Sequence, residues 1–288
     1  MAARRRPPHR AEGAAMTDPV TTSHVLTARG DTVTYDLRGE GPGLVFVAGA
    51  GPFRAIDPIT TETAERVSAQ GVTTVVHDRL GRGESPADGV LDLERELAAV
   101  AAAIAVADGG SGRGAVLCGH SSGCTIALAA AHAGLPVTGL VLWEAPLGDD
   151  AAATKEWIDE FERRLDAEDY VGATEQYMKD MPPEWLDGMR RSPDFEQLAR
   201  GSRSQRADGE SLVWATTALE DGTLATVDVP VLATYGTATF PEMPVSAWKV
   251  VAAVPHGEVR EVEGAFHSWD PAAMADVLVR FVREVDRH

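Results

Sequence analysis

From about residue 22 onward, short apolar runs alternate with longer segments whose apolar residues recur every three or four positions. The short runs predict buried strands, and the longer segments predict amphipathic helices. The predicted strands are 24–26, 32–37, 44–48, 72–77, 115–118, 139–143, 229–235 and 259–262. Strands that alternate with helices indicate an α/β fold, with a mostly parallel twisted sheet covered by helices on both faces.

The predicted helices carry recognisable faces and one clear start signal. A helix is predicted over 58–70, and Leu93, Leu97, Val100 and Ile104 share one face of the next. The last helix begins at Asp270, an N-cap residue followed by proline at the first helical position. Its buried side is predicted to carry Met274, Leu278, Phe281 and Val285.

Residues 148–225 interrupt this alternation. They are richly charged and contain no strand pattern, while Trp157, Phe161 and Leu165 follow each other at helical spacing. We therefore predict a core made of 21–147 and 226–288, with 148–225 inserted as a helical cap or lid.

The first residues have a different composition. Four arginines and two prolines stand in the first ten positions, without the apolar stretch of a secretory signal. We predict a disordered basic extension over 1–20, or a start codon assigned too early, with Met16 as the true start. With no targeting signal, the protein is expected to be cytoplasmic.

Composition excludes several function classes. The chain of 288 residues is 44% hydrophobic and 24% charged, with a net charge of −18. An acidic protein is repelled by nucleic acid and by anionic membrane surfaces, so neither is expected as a partner. No apolar run is long enough to span a membrane.

Cys118 and Cys124 are expected to be buried, free thiols. The oligomeric state stays open.

The most informative residues are Gly119-His120-Ser121-Ser122-Gly123, because a predicted strand precedes them and an alanine-rich helical segment follows. This strand–turn–helix context predicts a sharp turn that exposes the Ser121 hydroxyl. The N-terminus of the helix would place free N–H groups beside that oxygen. Ser121 is thus a candidate nucleophile.

These residues, with three further landmarks, resemble the α/β-hydrolase family across about 22–288. The landmarks are a Gly49-Ala50-Gly51-Pro52 loop, an Asp78-Arg79-Leu80-Gly81-Arg82-Gly83-Glu84-Ser85 turn and a late Gly264-Ala265-Phe266-His267 loop. The resemblance implies a nucleophile, base and acid working together. It assigns Ser121 as nucleophile and His267 as base, because the other histidines are worse placed.

The acid departs from the common family pattern, since Thr239 stands where most members have aspartate. Glu144 directly follows the strand 139–143, at the edge of the sheet where ligands bind, and a subset of the family uses a carboxylate there. We expect Glu144 to be the acid, with Glu242 and Asp228 as the next candidates. Glu144 could otherwise be a surface residue that caps the first helix of the insertion.

The resemblance also implies an oxyanion hole. Its backbone donors are expected to be the N–H of Ser122 and one from Gly49 or Ala50. The glycine-rich loop could otherwise be only a tight turn, and no lysine follows it as in a phosphate-binding loop. Neither a cofactor nor a metal is required by this chemistry.

Three short segments resemble zearalenone lactonases, which use a Ser–His–Glu triad: Ser121-Ser122-Gly123, Glu144-Ala145-Pro146 and Gly236-Thr237-Ala238-Thr239. That likeness implies a hydrophobic ester or lactone, cleaved through an acyl-enzyme. Trp214, Met178 and Trp157 are candidates to line the pocket, or they belong to the core of the lid. The alternative functions are cofactor-free C–C bond hydrolysis, thioester cleavage, and a non-catalytic small-molecule receptor.

Overall fold

One sheet organises the residues that the computed structural model describes, 20–148 and 150–287. In these ranges the sheet has nine strands, in the order β1-β2-β4-β3-β5-β6-β7-β8-β9. They are β1 (Thr21–Leu26), β2 (Thr32–Arg38), β3 (Gly43–Val47), β4 (Thr73–His77), β5 (Ala115–His120), β6 (Val137–Trp143), β7 (Val231–Ala238), β8 (Gly257–Ala265) and β9 (Ser268–Trp269). Apart from Val20, the predicted extension 1–20 lies outside the described residues, as do Met16 and His288.

The strands from β4 to β8 in this order are parallel, whereas β1, β2 and β9 pair antiparallel. Parallel strands end at the same edge of a sheet, so the loops after β3, β5, β6, β7 and β8 meet there. The mostly parallel sheet that the sequence predicted is confirmed.

Ten α-helices accompany the sheet in the described residues, besides three short 3-10 helices. They are α1 (Pro58–Ser68), α2 (Leu93–Ala107), α3 (Ser122–His132), α4 (Ala151–Asp166), α5 (Tyr170–Tyr177), α6 (Pro183–Arg190), α7 (Phe195–Ala199), α8 (Arg206–Glu220), α9 (Glu242–Ala253) and α10 (Pro271–Val285).

The side chains of the central strands alternate between two cores, as the period of two requires. Val45 and Leu117 lie in the core shared with α2 and α3, while Leu44 and Val116 lie in the core shared with α1 and α10. Helices thus cover both faces. The predicted start of α10 is confirmed, because the Asp270 carboxylate accepts hydrogen bonds from the first-turn amides of Ala272 and Ala273.

The segment between β6 and β7 is helical from α4 to α8, but its last helix is part of the core. Helix α8 runs along α3, where the hydroxyls of Thr125 and Ser211 are 2.7 Å apart, and its Ala215 and Ala218 join the core around α3. Helices α4 and α5 form a cluster of their own around Phe161 and Tyr177. The insertion is therefore anchored to the sheet domain through α8.

Some local expectations need correction. The sequence analysis assigned no element to 242–253, where the structure has α9. Pro244 obscured the helical pattern, yet proline is tolerated in a first helical turn, where the amide has no partner within the helix. The cysteine prediction is confirmed: Cys118 and Cys124 are buried and free. Among the helices of the described residues, none has the length and apolar character needed to cross a membrane.

His77, the last residue of β4, is a buried ionisable group without a hydrogen-bond partner among the described residues. Burial lowers the pKa of its ring to about 4. The unfolded chain binds a proton at this position below about pH 6.5, whereas the folded chain does so only below about pH 4. Stability is therefore lost as the pH falls through this window.

We expect the titration of His77 alone to lower the free energy of unfolding by about 3 kcal/mol between pH 7 and pH 4. Urea unfolding at both pH values would measure this, with His77→Phe as the variant that keeps a ring but cannot titrate. The free energy of unfolding of the variant should depend less on pH by that amount. Equal pH dependence in His77→Phe and the native protein would contradict a neutral, buried His77.

Candidate active site

Ser121 lies in a strained turn between β5 and α3. Its φ of 54° and ψ of −128° are unusual for a residue with a side chain. Two glycines allow α3 to approach β5 and β3 this closely. A β-carbon at Gly119 would lie 2.6 Å from the Cys124 α-carbon, and one at Gly123 would lie 2.1 Å from the Val47 carbonyl oxygen. The turn therefore has the geometry of a nucleophile elbow.

His267 occupies the tip of the β8–β9 hairpin. Ala265 pairs with Ser268, so the loop consists of Phe266 and His267, with φ values of 51° and 70°. Two positive φ values are characteristic of a type I′ turn, for which glycine and asparagine are the usual residues. Here a tight turn projects the histidine beyond the sheet edge.

Glu144 and His267 are in direct contact. The Glu144 carboxylate accepts a hydrogen bond from Nδ1 of His267 at 2.5 Å, and the Glu144 side chain is fully buried. Its other oxygen accepts from the Gly236 amide at 3.0 Å. With Nδ1 held in this way, Nε2 of His267 is free to accept a proton.

The environment keeps Glu144 ionised. Burial by itself raises the pKa of this carboxyl, but hydrogen bonds from His267 and Gly236 and the effect of the Thr239 hydroxyl outweigh it, so the pKa is lowered. Thr239 thus stands close to the carboxylate, although it cannot replace it as a charged group. The structure brings Glu144, and not Thr239, against the histidine.

A second histidine supports the first. His120 Nε2 and Trp143 Nε1 both donate to the carbonyl oxygen of His267, at 2.9 and 3.2 Å. Burial, with a smaller contribution from His267, lowers the pKa of His120 to about 4, so its ring is neutral at pH 7. His120 therefore serves to hold the His267 turn in place.

The loop after β3 lies against the elbow. A β-carbon at Gly49 would be 2.9 Å from the β-carbon of Ser121 and 2.8 Å from the His120 carbonyl oxygen, so only glycine fits. The structure thus brings Gly49 next to Ser121. The assignment of the Ser122 amide and of an amide at Gly49 or Ala50 as oxyanion-hole donors stays a prediction.

Ser122 leads to a buried ion cluster that the sequence analysis missed. Its hydroxyl donates to Asp208 of α8 at 2.6 Å. Asp208 also accepts from Arg79 at 2.6 Å and from Arg82 at 2.8 Å. Arg79 donates further to Glu96 of α2 at 2.9 Å. Asp208 precedes Leu212 by four positions in a helical segment, and a charge on such an apolar face is the signal that could have revealed it.

The charges of this cluster are balanced. Burial alone raises the pKa of Asp208, but the two arginines lower it below its usual value. Burial and the like charge of Arg79 lower the pKa of Arg82 to about 10. Two cations and two carboxylates are therefore present, which is the condition under which buried charges are tolerated.

The predicted pocket residues separate into two groups. Trp157 and Met178 pack in the α4–α5 cluster, and Ala50 of the loop after β3 packs against the same cluster. Trp214 instead lies on α8 with its ring 5.2 Å from that of His132. His132 ends α3, about 16 Å along the helix from Ser121. The structure does not bring Trp214 to the site.

Three aromatic side chains near His267 were not foreseen. The Phe240 ring lies 6.5 Å from that of His267, and Trp185 of α6 packs against Phe240 at 6.1 Å. Phe266, beside His267 in the turn, is 85% exposed. Trp185 and Phe266 are exposed and Phe240 is partly buried, so aromatic ring surface is available on this side of His267.

The other candidate residues lie elsewhere. Glu242 is exposed at the start of α9, and Asp228 pairs with His256 at 3.0 Å. Neither carboxylate contacts His267. The described residues contain no group of three His, Cys, Asp or Glu side chains arranged to hold a metal.

Comparison with known proteins identifies the family to which this fold belongs. Residues 44–280 match the model of the α/β-hydrolase family. An α/β hydrolase from Sphaerobacter thermophilus DSM 20745 is 26% identical with a TM-score of 0.71, and the match covers 90% of this chain and 99% of that one.

Two further structures share the fold. A thermophilic esterase from Thermogutta terrifontis, solved with malate bound, is 19% identical with a TM-score of 0.65, covering 93% of this chain and 98% of that one. The epoxide hydrolase VrEH1 from Vigna radiata is 17% identical with a TM-score of 0.65, covering 95% and 100%. No curated protein matches this chain significantly. Because the family model spans most of the sequence, the chain belongs to the α/β-hydrolase family.

Proposed function

We propose that the protein is a serine hydrolase that cleaves a carboxylic ester or lactone of a hydrophobic small molecule. The observation that carries the proposal is the 2.5 Å hydrogen bond between His267 Nδ1 and the buried Glu144 carboxylate, at the sheet edge where Ser121 follows β5. A serine at the elbow disfavours chemistry that needs an aspartate nucleophile.

The reaction follows from these positions. Ser121 attacks the carbonyl carbon while Nε2 of His267 takes the hydroxyl proton, and Glu144 stabilises the imidazolium that forms. Amides of Ser122 and of the loop at Gly49 and Ala50 hold the oxyanion, and the alcohol leaves with the proton from His267. Water, activated by His267, then releases the acid from the acyl-enzyme.

Backbone strain supports the same assignment. Among the described residues, positive φ values outside glycine occur at Ser121, Glu144, Glu168, Phe266 and His267. Each costs about 1–3 kcal/mol, a cost that folded proteins concentrate at functional sites. Three of the five are the proposed nucleophile, acid and base, and Phe266 shares the histidine's turn.

The substrate class is inferred from the likeness to zearalenone lactonases and from the aromatic surroundings. Phe240 and Phe266 present ring surfaces beside His267, and Trp157 and Met178 cluster with Ala50. Apolar, aromatic lining favours a bulky hydrophobic substrate over a small polar one. Within the ester class, we therefore infer a bulky hydrophobic ester or macrolactone.

The experiment compares zearalenone with a short-chain aryl ester, using the native protein and a phosphonate probe that reacts with activated serines. Mass spectrometry would identify the ring-opened product and the labelled peptide. We expect the lactone to gain one water and the probe to label the peptide that contains Ser121.

The outcomes separate the levels of the proposal. Cleavage of the aryl ester alone would keep the serine hydrolase and remove the lactone assignment. Labelling of Ser121 without cleavage of either compound would favour thioesters or C–C bonds as substrates. No labelling and no cleavage would overturn the enzyme assignment and favour a receptor.

A further inference from the structure

The buried ion cluster reaches the backbone of the loop at Gly49. Arg79 Nη1 donates to the carbonyl oxygen of Ala48 at 3.0 Å and lies 3.4 Å from that of Gly49. Arg82 Nη1 donates to the Gly49 carbonyl at 2.5 Å. The same two arginines hold Asp208, which accepts from Ser122. Both sides of the predicted oxyanion hole are therefore tied to one carboxylate.

The carbonyl contacts determine where the amides point. In a trans peptide the C=O and the following N–H are antiparallel and coplanar. The Ala48 carbonyl shares a peptide unit with the Gly49 N–H, and the Gly49 carbonyl shares one with the Ala50 N–H. Two guanidinium groups on the carbonyl side thus fix the orientation of both candidate donors on the other side.

The same contacts strengthen these donors electrostatically. A cation bound to a carbonyl oxygen withdraws electron density from its peptide unit, which makes the N–H of that unit a better donor. The effect is large here because Arg79 and Arg82 are almost fully buried, so water does not screen them. An oxyanion carries more charge than a ground-state carbonyl, so it gains more from such polarised donors.

We propose that Arg79, Arg82 and Asp208 are positioning residues, which orient and polarise the oxyanion-hole amides and couple them to helix α8. This inference rests on the proposed function. Asp208 is the connecting group, since it binds Ser122 on the elbow and both arginines behind the loop. Helix α8 is the last helix of the inserted segment. A shift of that segment would therefore change how well the oxyanion-hole amides are oriented.

The test uses Arg82→Lys and Asp208→Asn, which retain size and avoid leaving a large cavity. A lysine has a single ammonium nitrogen in place of the two terminal guanidinium nitrogens that bind Gly49 and Asp208. For an ester that the native protein hydrolyses, we expect kcat to fall about 10- to 100-fold with KM changed less than about threefold.

Inhibition supplies the readout that a merely structural role would not move. A trifluoromethyl ketone of the same acyl group forms a hemiketal oxyanion on the serine, whereas the neutral alcohol product offers no oxyanion to the hole. The Ki of the ketone should rise in parallel with the loss of kcat/KM, while the Ki of the product alcohol stays constant. The double variant should lose less than the product of the two single losses, because both act through one network.

Arg38→Lys is the matched control. Arg38 is also a buried arginine between two carboxylates, Asp36 and Glu65, but it lies on β2 and has no contact with the loop. Its kinetics and ketone inhibition should equal those of the native protein, whatever happens to its melting temperature.

Two results would overturn the inference. Unchanged kcat and ketone Ki in Arg82→Lys and Asp208→Asn, with only a lower melting temperature, would reduce the cluster to a stabilising role while hydrolysis at Ser121 persisted. Absence of turnover and of ketone inhibition in the native protein would instead remove the proposed function, and this inference with it.

Discussion

Replacing Ser121 by alanine is expected to lower kcat by about 10⁵- to 10⁶-fold, because the covalent path through the acyl-enzyme disappears. The oxyanion-hole amides and the binding surfaces remain in the variant. A residual rate about 10³-fold above that in water is therefore expected. Progress curves of the variant, and of native protein diluted until its rate is comparable, would measure the two values of kcat. Mass spectrometry would identify the products.

The neighbouring serine offers a matched control. Ser122 is 2% exposed and its hydroxyl is bound to Asp208, whereas its proposed contribution to the chemistry is its amide, which alanine retains. Ser122→Ala should therefore lose no more than about 100-fold in kcat, and it should still be labelled by a phosphonate. If Ser122→Ala had no activity and Ser121→Ala were active, the nucleophile would be Ser122 and not Ser121.

Local patterns were sufficient to predict most of the parallel sheet and the positions of the candidate site. Ser121, Glu144 and His267 each follow an apolar run, and parallel strands bring the ends of such runs together. The final helix was equally predictable, since Asp270 and Pro271 mark its start. Such features depend on residues that are close in sequence.

The ion cluster depends on a pairing that no local pattern contains. Arg79 and Asp208 lie 129 positions apart, and the resemblance of 78–85 to a family turn assigns no role to its arginines. The hairpin at His267 was unpredictable for another reason. Phe266 and His267 are poor type I′ residues, so the turn is imposed by the pairing of β8 with β9 and by the two donors to the His267 carbonyl. The sequence indicated the groups of the candidate site, whereas their support comes from tertiary contacts.

Replacing Glu144 by glutamine is expected to lower kcat by about 10³- to 10⁴-fold with little change in KM. The amide keeps the size of the side chain and can still accept from Gly236, but it has no charge to stabilise the imidazolium and can favour the wrong tautomer of His267. Steady-state kinetics, with melting temperatures to verify folding, would measure this. Glu242→Gln, an exposed carboxylate at the start of α9, is the control and should keep its kcat.

Position 239 offers a second place from which a carboxylate could act on His267. Thr239 directly follows β7, which pairs with the strand that Glu144 follows, so we expect an aspartate at this position to bring a negative charge to the same edge of the sheet as His267. In the Glu144→Gln background, Thr239→Asp should recover about 10- to 100-fold of kcat. In the native background the same change sets two carboxylates side by side, which raises the pKa of one of them and should reduce activity.

The sign of the Thr239→Asp effect therefore reverses with the residue at 144, which a general effect on folding would not do. Full activity in Glu144→Gln would place the acid elsewhere. A loss in Glu144→Gln that Thr239→Asp deepened would indicate that Glu144 positions the turn at His267 through more than its charge. Recovery of kcat by Thr239→Asp in the Glu144→Gln background would establish that His267 requires a nearby negative charge. In the native protein, Glu144 at the end of β6 supplies that charge.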